Sequence, residues 1–365
     1  MAGRHLIGRR LSAAVFAIGL AAGGSAAAAD PALPSLCIDE AGLSVSGISS
    51  GGYMAHQFHV AHSARVMGAG VIAAGPYACA GDGYPRNLLR ALTVCSAIGP
   101  GPFLGPPLAE KSIGAVQTKA DEGLIDDPRG LTDDRVFLFS GTLDNLVPAS
   151  VVATVGDVYQ AFGDAAQTLL VQNVEAPHAM LTLDFGNPCL SMESPFINAC
   201  AFDLAGMTLK QIYGPLAPPN PADDGLHAFT QAEFADPRTR HGLAERGFVY
   251  VPKACAEGAR CRLHIAFHGC QQNEAMIGEA FVRHAGYNGW ADANDIVVLY
   301  PQTAVLTMRV LGISLPWPNP QGCWDWWGYT GPHYADREGP QIKAVAAMIE
   351  RLSGGSDSCR RAASP

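Results

Sequence analysis

The sequence predicts an α/β fold built on one mostly parallel, doubly wound sheet. Short apolar runs alternate with helical patterns along the chain, which is typical of parallel strands joined by crossover helices. In such a sheet the functional site lies at the carboxyl ends of the strands, so candidate residues should directly follow a run. The apolar runs cover residues 70–74, 136–140, 168–174, 248–251, 263–267 and 296–300, and the clearest helical patterns cover 150–162 and 340–352.

The first 29 residues are expected to be an export leader. Basic residues at positions 4, 9 and 10 precede an apolar run at residues 11–20, and a small-residue stretch ends at Ala29. The apolar run is shorter than the roughly 20 residues that a membrane-spanning helix needs. We expect cleavage after Ala29 and export of the mature chain to the periplasm or the extracellular space.

Residues 30–365 are expected to form a single domain, because they contain no repeat, no low-complexity linker and no shift in composition. Without the leader the chain keeps 21 of its 24 basic residues and all 33 acidic residues, so the formal net charge falls from −9 to −12. A surface this negative disfavours nucleic acid and anionic membranes as partners. We expect neither of these partners, and we expect a monomer.

All ten cysteines lie after the leader, where an oxidising compartment would permit up to five disulfides. Zinc binding is the competing interpretation, but the sequence has no Cys-x-x-Cys pair, so we expect no metal ion. Close spacing suggests three pairs, and two further cysteines lie near the ends of the chain, although spacing does not determine connectivity. The expected pairs are Cys37–Cys359, Cys79–Cys95, Cys189–Cys200, Cys255–Cys261 and Cys270–Cys323.

Ser49 is the candidate nucleophile. It lies at the centre of residues 47–51, the only Gly-x-Ser-x-Gly pattern in the chain. Residues 41–46 before it have the small, alternating character of a buried strand, and apolar residues after it recur at helical spacing. A serine on such a strand–turn–helix elbow has an exposed hydroxyl, which suits nucleophilic attack. The alternative is an incidental serine in a glycine-rich turn.

Asp144 and His178 are the candidate partners of Ser49. Asp144 follows the run at 136–140, and His178 follows the run at 168–174. Serine, carboxylate and histidine in this chain order form the triad of elbow-type hydrolases. In a triad the carboxylate orients the imidazole, and the imidazole takes the proton of the serine. Capping of the next helix is the alternative role for Asp144.

Three other histidines are weaker candidates for the base. His56, His59 and His62 belong to the helical stretch directly after Ser49 and are too close to it in sequence for a triad. Their spacing also permits a metal site, but surface or core positions are the simpler interpretation.

The strand that usually precedes the nucleophile strand is found at the far end of this chain. In an elbow-type hydrolase that strand comes earlier, and the loop after it supplies an oxyanion donor. Here the run at 263–267 is followed by His268 and Gly269, and another buried run lies at 296–300. Joining the two ends of the chain would restore the usual order. The sequence therefore predicts an α/β-hydrolase fold in circularly permuted form, with a Cys37–Cys359 disulfide closing the old connection.

With these motifs in place, the chain resembles the poly(3-hydroxybutyrate) depolymerases of the circularly permuted, single-domain kind. The resemblance extends from the nucleophile strand to the C-terminal helix, so it covers nearly all of the mature chain. The matching segments are residues 46–54, 139–144, 176–178, 250–255, 267–272, 299–302 and 322–327.

The resemblance implies a complete hydrolase site without a cofactor. The polymer-binding domain of the larger extracellular depolymerases has no counterpart in this sequence. The implied site residues are Ser49, Asp144 and His178 for the triad, the backbone N–H groups of Ser50 and Cys270 for the oxyanion hole, and Trp327 for substrate contact.

The five tryptophans lie close together, between Trp290 and Trp327. Trp290 lies within a helical pattern, and we expect it in the core. The other four lie in the proline- and glycine-rich segment 315–331, where large side chains are harder to bury. A polyester chain needs an apolar, concave surface beside the nucleophile. We expect Trp324, Trp326 and Trp327 to supply it.

The expected function is hydrolysis of poly(3-hydroxybutyrate) to hydroxybutyrate oligomers and monomers through an acyl-enzyme. A carboxylesterase acting on soluble or plant-wall feruloyl or acetyl esters, or a serine peptidase, would use the same triad. A polymer-binding protein with an inactive hydrolase fold is the non-enzymatic alternative, but no triad member is missing from the sequence.

Overall fold

The computed structural model describes residues 30–81, 86–99, 101–222, 224–310, 313–354 and 359, together with Met1. Apart from Met1, the expected leader lies outside the described residues, and both the leader and the single-domain organisation stay predictions. No helix of the described ranges combines the length and the apolar composition that crossing a bilayer requires.

The fold is centred on an eight-stranded sheet. Its strand order is β4-β3-β2-β1-β10-β11-β9-β8. The first six strands in this order run parallel, and the last two, β9 and β8, are antiparallel to their neighbours. The predicted mostly parallel α/β sheet is therefore confirmed. The described strands are β1 Ile38–Ile48, β2 Gly68–Ile72, β3 Arg135–Phe139, β4 Thr168–Val171, β5 Met180–Thr182, β6 Asn187–Pro188, β7 Ile197–Ala199, β8 Leu226–Thr230, β9 Arg246–Tyr250, β10 Cys261–Phe267, β11 Ile296–Tyr300, β12 Leu306–Val310 and β13 Ile313–Asn319.

Helices cover both faces of this sheet. Successive side chains of a strand point to opposite faces, and in β3 they join two different hydrophobic clusters. One cluster contains residues of α1, α4 and α10, and the other contains residues of α5 and α9. The described helices are α1 Ser50–Ala61, α2 Arg86–Thr93, α3 Ala109–Asp121, α4 Ala149–Phe162, α5 Leu204–Tyr213, α6 Lys253–Ala256, α7 Glu274–Ile277, α8 Ala280–His284, α9 Tyr287–Ala293 and α10 Pro340–Ser353.

The predicted strands are present with some shifted ends. The run predicted at 296–300 coincides with β11. The run predicted at 263–267 lies within β10, which begins two residues earlier, at Cys261. The run predicted at 168–174 is longer than β4, which ends at Val171, because the chain leaves the sheet there to form the loop that carries His178. No sequence pattern marks the small β5-β7-β6 sheet, whose strands have two or three residues, or the β12–β13 hairpin, whose second strand contains proline.

The nucleophile strand lies in the middle of the sheet. Gly47 of β1 pairs with Val71 of β2 on one side and with Phe267 of β10 on the other. The strand that precedes His268 and Gly269 is therefore the direct neighbour of the nucleophile strand. The predicted circular permutation requires this pairing of β10 with the nucleophile strand β1. The permutation itself stays a prediction.

Helix α1 is buried on all sides, so the apolar face expected from its sequence spacing does not describe its packing. Both of its histidines, His56 and His59, lie fully in the core, and His62 directly follows the helix. His59 lies between the hydroxyl of Tyr159 and the carboxylate of Asp134, each 2.8 Å from a ring nitrogen, and His56 stacks on the Tyr159 ring. Burial lowers the pKa of His56 to about 3. These contacts tie α1 to α4 and place both rings in the core, which is the simpler of the two interpretations of this run of histidines.

Five disulfides connect the described cysteines, in the pairs that the sequence analysis expected. Cys37, just before β1, is bonded to Cys359, after α10. The bond between Cys270 and Cys323 joins the loop after β10 to the tryptophan-rich segment. The latter bond connects two loops that both border the candidate site.

Candidate active site

Ser49 lies on a sharp turn between β1 and α1. Its backbone has φ 56° and ψ −125°, a left-handed conformation that is costly for a residue with a side chain. The neighbouring glycines make the turn possible, because a Cβ on Gly47 would overlap the carbonyl of Gly51. A Cβ on Gly51 would likewise overlap the carbonyls of Phe267 and His268. The glycines of the motif are therefore required by close backbone approach.

Asp144 and His178 are hydrogen-bonded to each other. The Nδ1 atom of His178 lies 2.7 Å from the Oδ2 atom of Asp144, and the carboxylate is buried. The other carboxylate oxygen accepts from the N–H groups of Leu146 and Val147, each at 2.9 Å. Because an ionised carboxylate can only accept, Nδ1 must donate, and Nε2 is left as the basic atom. The local turn and the histidine thus use different oxygens of Asp144.

Ser49 and His178 line the same cavity, which has a volume of about 100 Å³. It lies where the loops after β1, β3 and β10 meet, at the carboxyl ends of parallel strands, as expected for this fold class. Most of its wall is apolar. The large apolar side chains in the wall belong to Ile48, Tyr53, Ile98, Leu146, Val147, Phe196 and Trp326.

The loop after β10 reaches the nucleophile. A Cβ placed on Gly269 would lie 2.8 Å from Oε1 of Gln272 and 3.3 Å from the Cβ of Ser49, so a side chain there would crowd both residues. Cys270, the next residue, also lines the cavity. In the described ranges, the backbone N–H groups of Ser50 and Cys270 donate to no protein acceptor. Cys270 lines the cavity and Ser50 directly follows the cavity-lining Ser49, and the oxyanion hole that the resemblance implies for both N–H groups stays a prediction.

His268 orients the peptide that carries the N–H of Cys270. Its Nδ1 lies 2.7 Å from the Gly269 carbonyl oxygen, and its Nε2 accepts from the N–H of Thr303 at 3.2 Å. Burial lowers the pKa of His268 to about 4, so the ring is neutral near pH 7, with its proton on Nδ1. The Gly269 carbonyl and the Cys270 N–H belong to one trans peptide and point in opposite directions. Fixing the carbonyl therefore fixes the direction of the N–H.

The tryptophan-rich segment folds around a buried carboxylate. The side chain of Asp325 accepts hydrogen bonds from four successive backbone N–H groups, those of residues 327–330, at 2.7–3.2 Å. Burial raises the pKa of this carboxyl, and its hydrogen bonds with Thr330 act in the opposite direction. The carboxylate curls the segment inward, which explains how so many large rings are buried in a loop.

This packing corrects the predicted aromatic surface. Of the three tryptophans, Trp326 is the one found in the described cavity wall, where it stacks on Tyr53 with 4.4 Å between ring centroids. Trp324 is fully buried against Phe267 and belongs to the core. Trp327 is 6 % exposed, packs edge-on against Trp326, and does not line the cavity at Ser49. The rings are drawn inward because the segment wraps around its own buried carboxylate.

Two other expectations concern buried groups. Trp290 lies in the core as expected, with its N–H donating to Asp203 at 2.8 Å.

Within the described ranges, the one cluster with metal-ligand geometry consists of Cys255, Cys261 and Asp295. Both cysteines are bonded to each other in a disulfide, so this cluster does not fit a metal ion.

Three residues at the site were not predicted from the sequence. Tyr53 and Phe196 line the cavity, and Gln272 lines it while also bonding to the loop that contains Phe196. Tyr53 follows the nucleophile by four residues, or one helical turn, so its position in α1 was a usable signal. Phe196 lies in a loop between two short strands, and no motif marks it.

Comparisons with known proteins show which family the chain resembles over most of its length. The chain is 41 % identical over 353 residues to a poly(3-hydroxybutyrate) depolymerase of Delftia acidovorans, covering 95 % of this chain and 66 % of that protein. It is 34 % identical over 345 residues to a polyhydroxybutyrate depolymerase of Talaromyces funiculosus, covering 92 % of this chain and 96 % of that protein. This chain therefore spans just under two thirds of the length of the Delftia relative and almost all of the Talaromyces relative. No protein-family model matches the chain.

Two solved structures are also similar. One is the crystal structure of a PHB depolymerase from Penicillium funiculosum, with a TM-score of 0.77 and 32 % identity, covering 89 % of this chain and 99 % of that chain. The other is a serine-to-alanine variant of a PHB depolymerase complexed with an R3HB trimer, with a TM-score of 0.77, 31 % identity and the same coverage. The predicted α/β-hydrolase fold is confirmed by these likenesses and by the sheet.

Proposed function

Because this chain belongs to the poly(3-hydroxybutyrate) depolymerase family, we propose that it is an exported serine esterase that hydrolyses poly(3-hydroxybutyrate). The observation that carries the proposal is that His178, hydrogen-bonded to Asp144, lines the same cavity as the elbow serine Ser49. The R3HB trimer held by one structural relative supports a polyester chain as the substrate class.

The first half of the reaction acylates Ser49. The Nε2 atom of His178 takes the hydroxyl proton while Oγ of Ser49 forms a bond to the ester carbonyl carbon. The imidazolium is stabilised by the carboxylate of Asp144, which its Nδ1–H already contacts. Negative charge develops on the former carbonyl oxygen, and the N–H groups of Ser50 and Cys270 are its donors.

Collapse of the tetrahedral intermediate breaks the ester C–O bond. The leaving alkoxide takes the proton from Nε2 of His178 and departs as the hydroxyl end of the polymer chain. Water then attacks the acyl group on Ser49, with His178 taking the proton of the water and returning one to Ser49 Oγ. The products of this second half are a free acid and the regenerated enzyme. The reaction uses only the ester and water, so it requires no cofactor.

The cavity suits a short, apolar acyl unit. Its volume of about 100 Å³ is below the 300–1,000 Å³ typical of drug-sized ligand sites, so a single repeat unit would fill much of it. The stacked Tyr53 and Trp326 rings provide a flat apolar wall. Ile98 also lines the cavity and is 45 % exposed, so it marks the side on which the rest of a polymer chain would pass from the cavity to the protein surface.

Export is part of the proposal. The five disulfides require an oxidising compartment for their formation, which supports the periplasm or the extracellular space. The monomeric state and the absence of nucleic-acid and membrane partners stay predictions.

The test is incubation of the purified protein with amorphous poly(3-hydroxybutyrate), followed by mass analysis of the soluble products. We expect hydroxybutyrate oligomers and monomers from the wild type and none from Ser49→Ala. Feruloyl and acetyl esters and a chromogenic peptide are assayed in parallel. No soluble product from the polymer, together with rapid turnover of one of the other substrates, would replace the proposed substrate by that class.

A further inference from the structure

Gln272 is a buried side chain beside the candidate oxyanion hole, and it bonds in two directions. Its Oε1 accepts from the backbone N–H of Gly269 at 2.8 Å, which closes the loop after β10. Its Nε2 donates to the carbonyls of Phe196 at 2.9 Å and Pro195 at 3.2 Å. The side chain is 2 % exposed, so these bonds have little competition from water. One amide thus joins two loops that are far apart in sequence.

The Phe196 carbonyl is shared with the strand that follows His178. It accepts a second hydrogen bond, from the N–H of Met180, at 2.9 Å. Met180 begins β5 and is only two residues after His178. The Phe196 side chain itself lines the cavity. A continuous path of hydrogen bonds therefore connects Gly269, Gln272, Phe196 and the histidine segment.

The remaining attachments of the loop lead elsewhere. Cys270 is bonded to Cys323, and the N–H of Gln271 donates to the Gln321 carbonyl at 2.8 Å, so both reach the tryptophan-rich segment. His268 is held by Thr303. In the described part of the chain, every hydrogen bond from residues 268–272 to the segment 178–197 comes from Gln272.

We propose that Gln272 is a positioning residue that keeps the N–H of Cys270 in register with His178 and with the Phe196 wall. The inference rests on the proposed function, because it concerns the same ester-hydrolysing site. Oxyanion donors act through preorganisation, and misplacement by about 1 Å can cost about 10²-fold in rate. An amide serves here because it offers an acceptor and a donor at one end of one side chain.

The chain offers a matched control in Gln231. This glutamine is also fully buried, and its Oε1 accepts from the N–H of Gln302 at 2.8 Å. Its Nε2 donates to the carbonyls of Ala244 and Gln302 at 2.9 and 2.7 Å. Gln231 makes the same number of bonds as Gln272, but it does not line the cavity. Gln231→Met therefore measures the cost of losing such an amide away from the site.

The experiment compares Gln272→Met, Gln272→Glu and Gln231→Met. The glutamate variant keeps an acceptor for Gly269 and loses the donor to Phe196, so it separates the two bonds if the methionine variant folds poorly. We measure thermal unfolding, kcat and KM on a short acyl ester, and amide hydrogen exchange by mass spectrometry. In both Gln272 variants we expect kcat to fall about 10- to 100-fold relative to Gln231→Met, with KM changed less than about threefold.

The exchange measurement tests the coupling without using activity. Peptides covering 268–272 and 178–182 should both exchange faster in Gln272→Met, and neither should change in Gln231→Met. Equal kcat values in the Gln272 and Gln231 variants, or faster exchange in only one of the two segments, would overturn the proposal. A wild type without esterase activity would instead remove the proposed function, while the exchange result would still decide whether Gln272 couples the loops.

Discussion

The Nδ1 atom of His178 lies 2.7 Å from Oδ2 of Asp144, and this carboxylate is fixed by two backbone N–H groups on its other oxygen. The pair therefore sets the tautomer and the orientation of the ring. In Asp144→Asn we expect kcat on a short acyl ester to fall about 10³- to 10⁴-fold, because the amide can favour the wrong tautomer. The unfolding temperature should change little. Activity within tenfold of the wild type would contradict the role of Asp144.

His178→Ala removes the base itself, so we expect a larger loss, on the order of 10⁶ in turnover. His227→Ala is the control, because His227 is exposed and does not line the cavity at Ser49. It should keep wild-type turnover on the same short ester. An essential histidine elsewhere, for example His56 or His62, would show that the triad is misassigned.

Trp326 should matter more for polymer than for small esters. Its ring lines the cavity and stacks on Tyr53, so Trp326→Ala removes an aromatic wall that a hydroxybutyrate unit covers more fully than the smaller acetyl group of a short ester does. Such a contact is worth about 1–3 kcal/mol, or about a ten- to hundredfold loss on the polymer relative to a short ester. The measurement is the ratio of the rates on the two substrates.

Trp327→Ala is the matched variant, because Trp327 packs against the same ring without lining the cavity. We expect it to lower the free energy of unfolding and to affect both substrates equally. A selective loss on polymer in Trp327→Ala, with none in Trp326→Ala, would restore the substrate contact that the sequence analysis placed at Trp327.

The Cys270–Cys323 disulfide should affect catalysis, since it joins the oxyanion loop to the tryptophan-rich segment. We expect the double variant Cys270→Ser/Cys323→Ser to lower kcat at least about tenfold, because it loosens the loop that holds a donor. Cys255→Ser/Cys261→Ser removes a bond outside the cavity and is the control. Peptide mapping of the unreduced protein should recover both pairs. A free thiol at Cys270 in the wild-type protein would contradict the prediction that this disulfide supports catalysis.

Buried histidines should make the protein less stable in acid. Burial lowers the pKa of His56 and His264 to about 3 and of His268 to about 4, against an ordinary value of 6.5. Between these values the unfolded chain binds protons that the folded chain does not, so stability falls as pH falls. Each histidine should cost about 2 kcal/mol between pH 6.5 and 4.5. Urea unfolding at pH 7.5 and 4.5 tests this, and equal stability at both would refute it.

The elements with a local sequence signature were predictable. Buried strands such as β11 are continuous apolar runs, and the elbow is marked by glycines that close backbone approach requires at positions 47 and 51. The loop that carries Asp144 follows the mostly buried strand β3, and the loop that carries His178 follows β4, an apolar but partly exposed strand. Position in the chain therefore indicated their place at the carboxyl edge of the sheet.

The cavity wall was less predictable because it depends on contacts between distant segments. Phe196 reaches the site through the loop before β7, and its carbonyl is held by residues 76 and 16 positions away. The tryptophans looked too large for a flexible loop, but the buried carboxylate of Asp325 organises that loop by accepting four backbone N–H groups. Composition could show the cluster, but it could not show which ring faces the nucleophile.

The central claim is that Ser49 attacks a hydroxybutyrate ester, and trapping the acyl-enzyme tests it most directly. The protein is mixed with a 3-hydroxybutyrate oligomer, quenched in acid within the first turnovers, digested and analysed by mass spectrometry. We expect a hydroxybutyryl adduct on the peptide that contains Ser49, and no adduct in Ser49→Ala. An adduct on another residue, or continued hydrolysis of the oligomer by Ser49→Ala, would contradict the account.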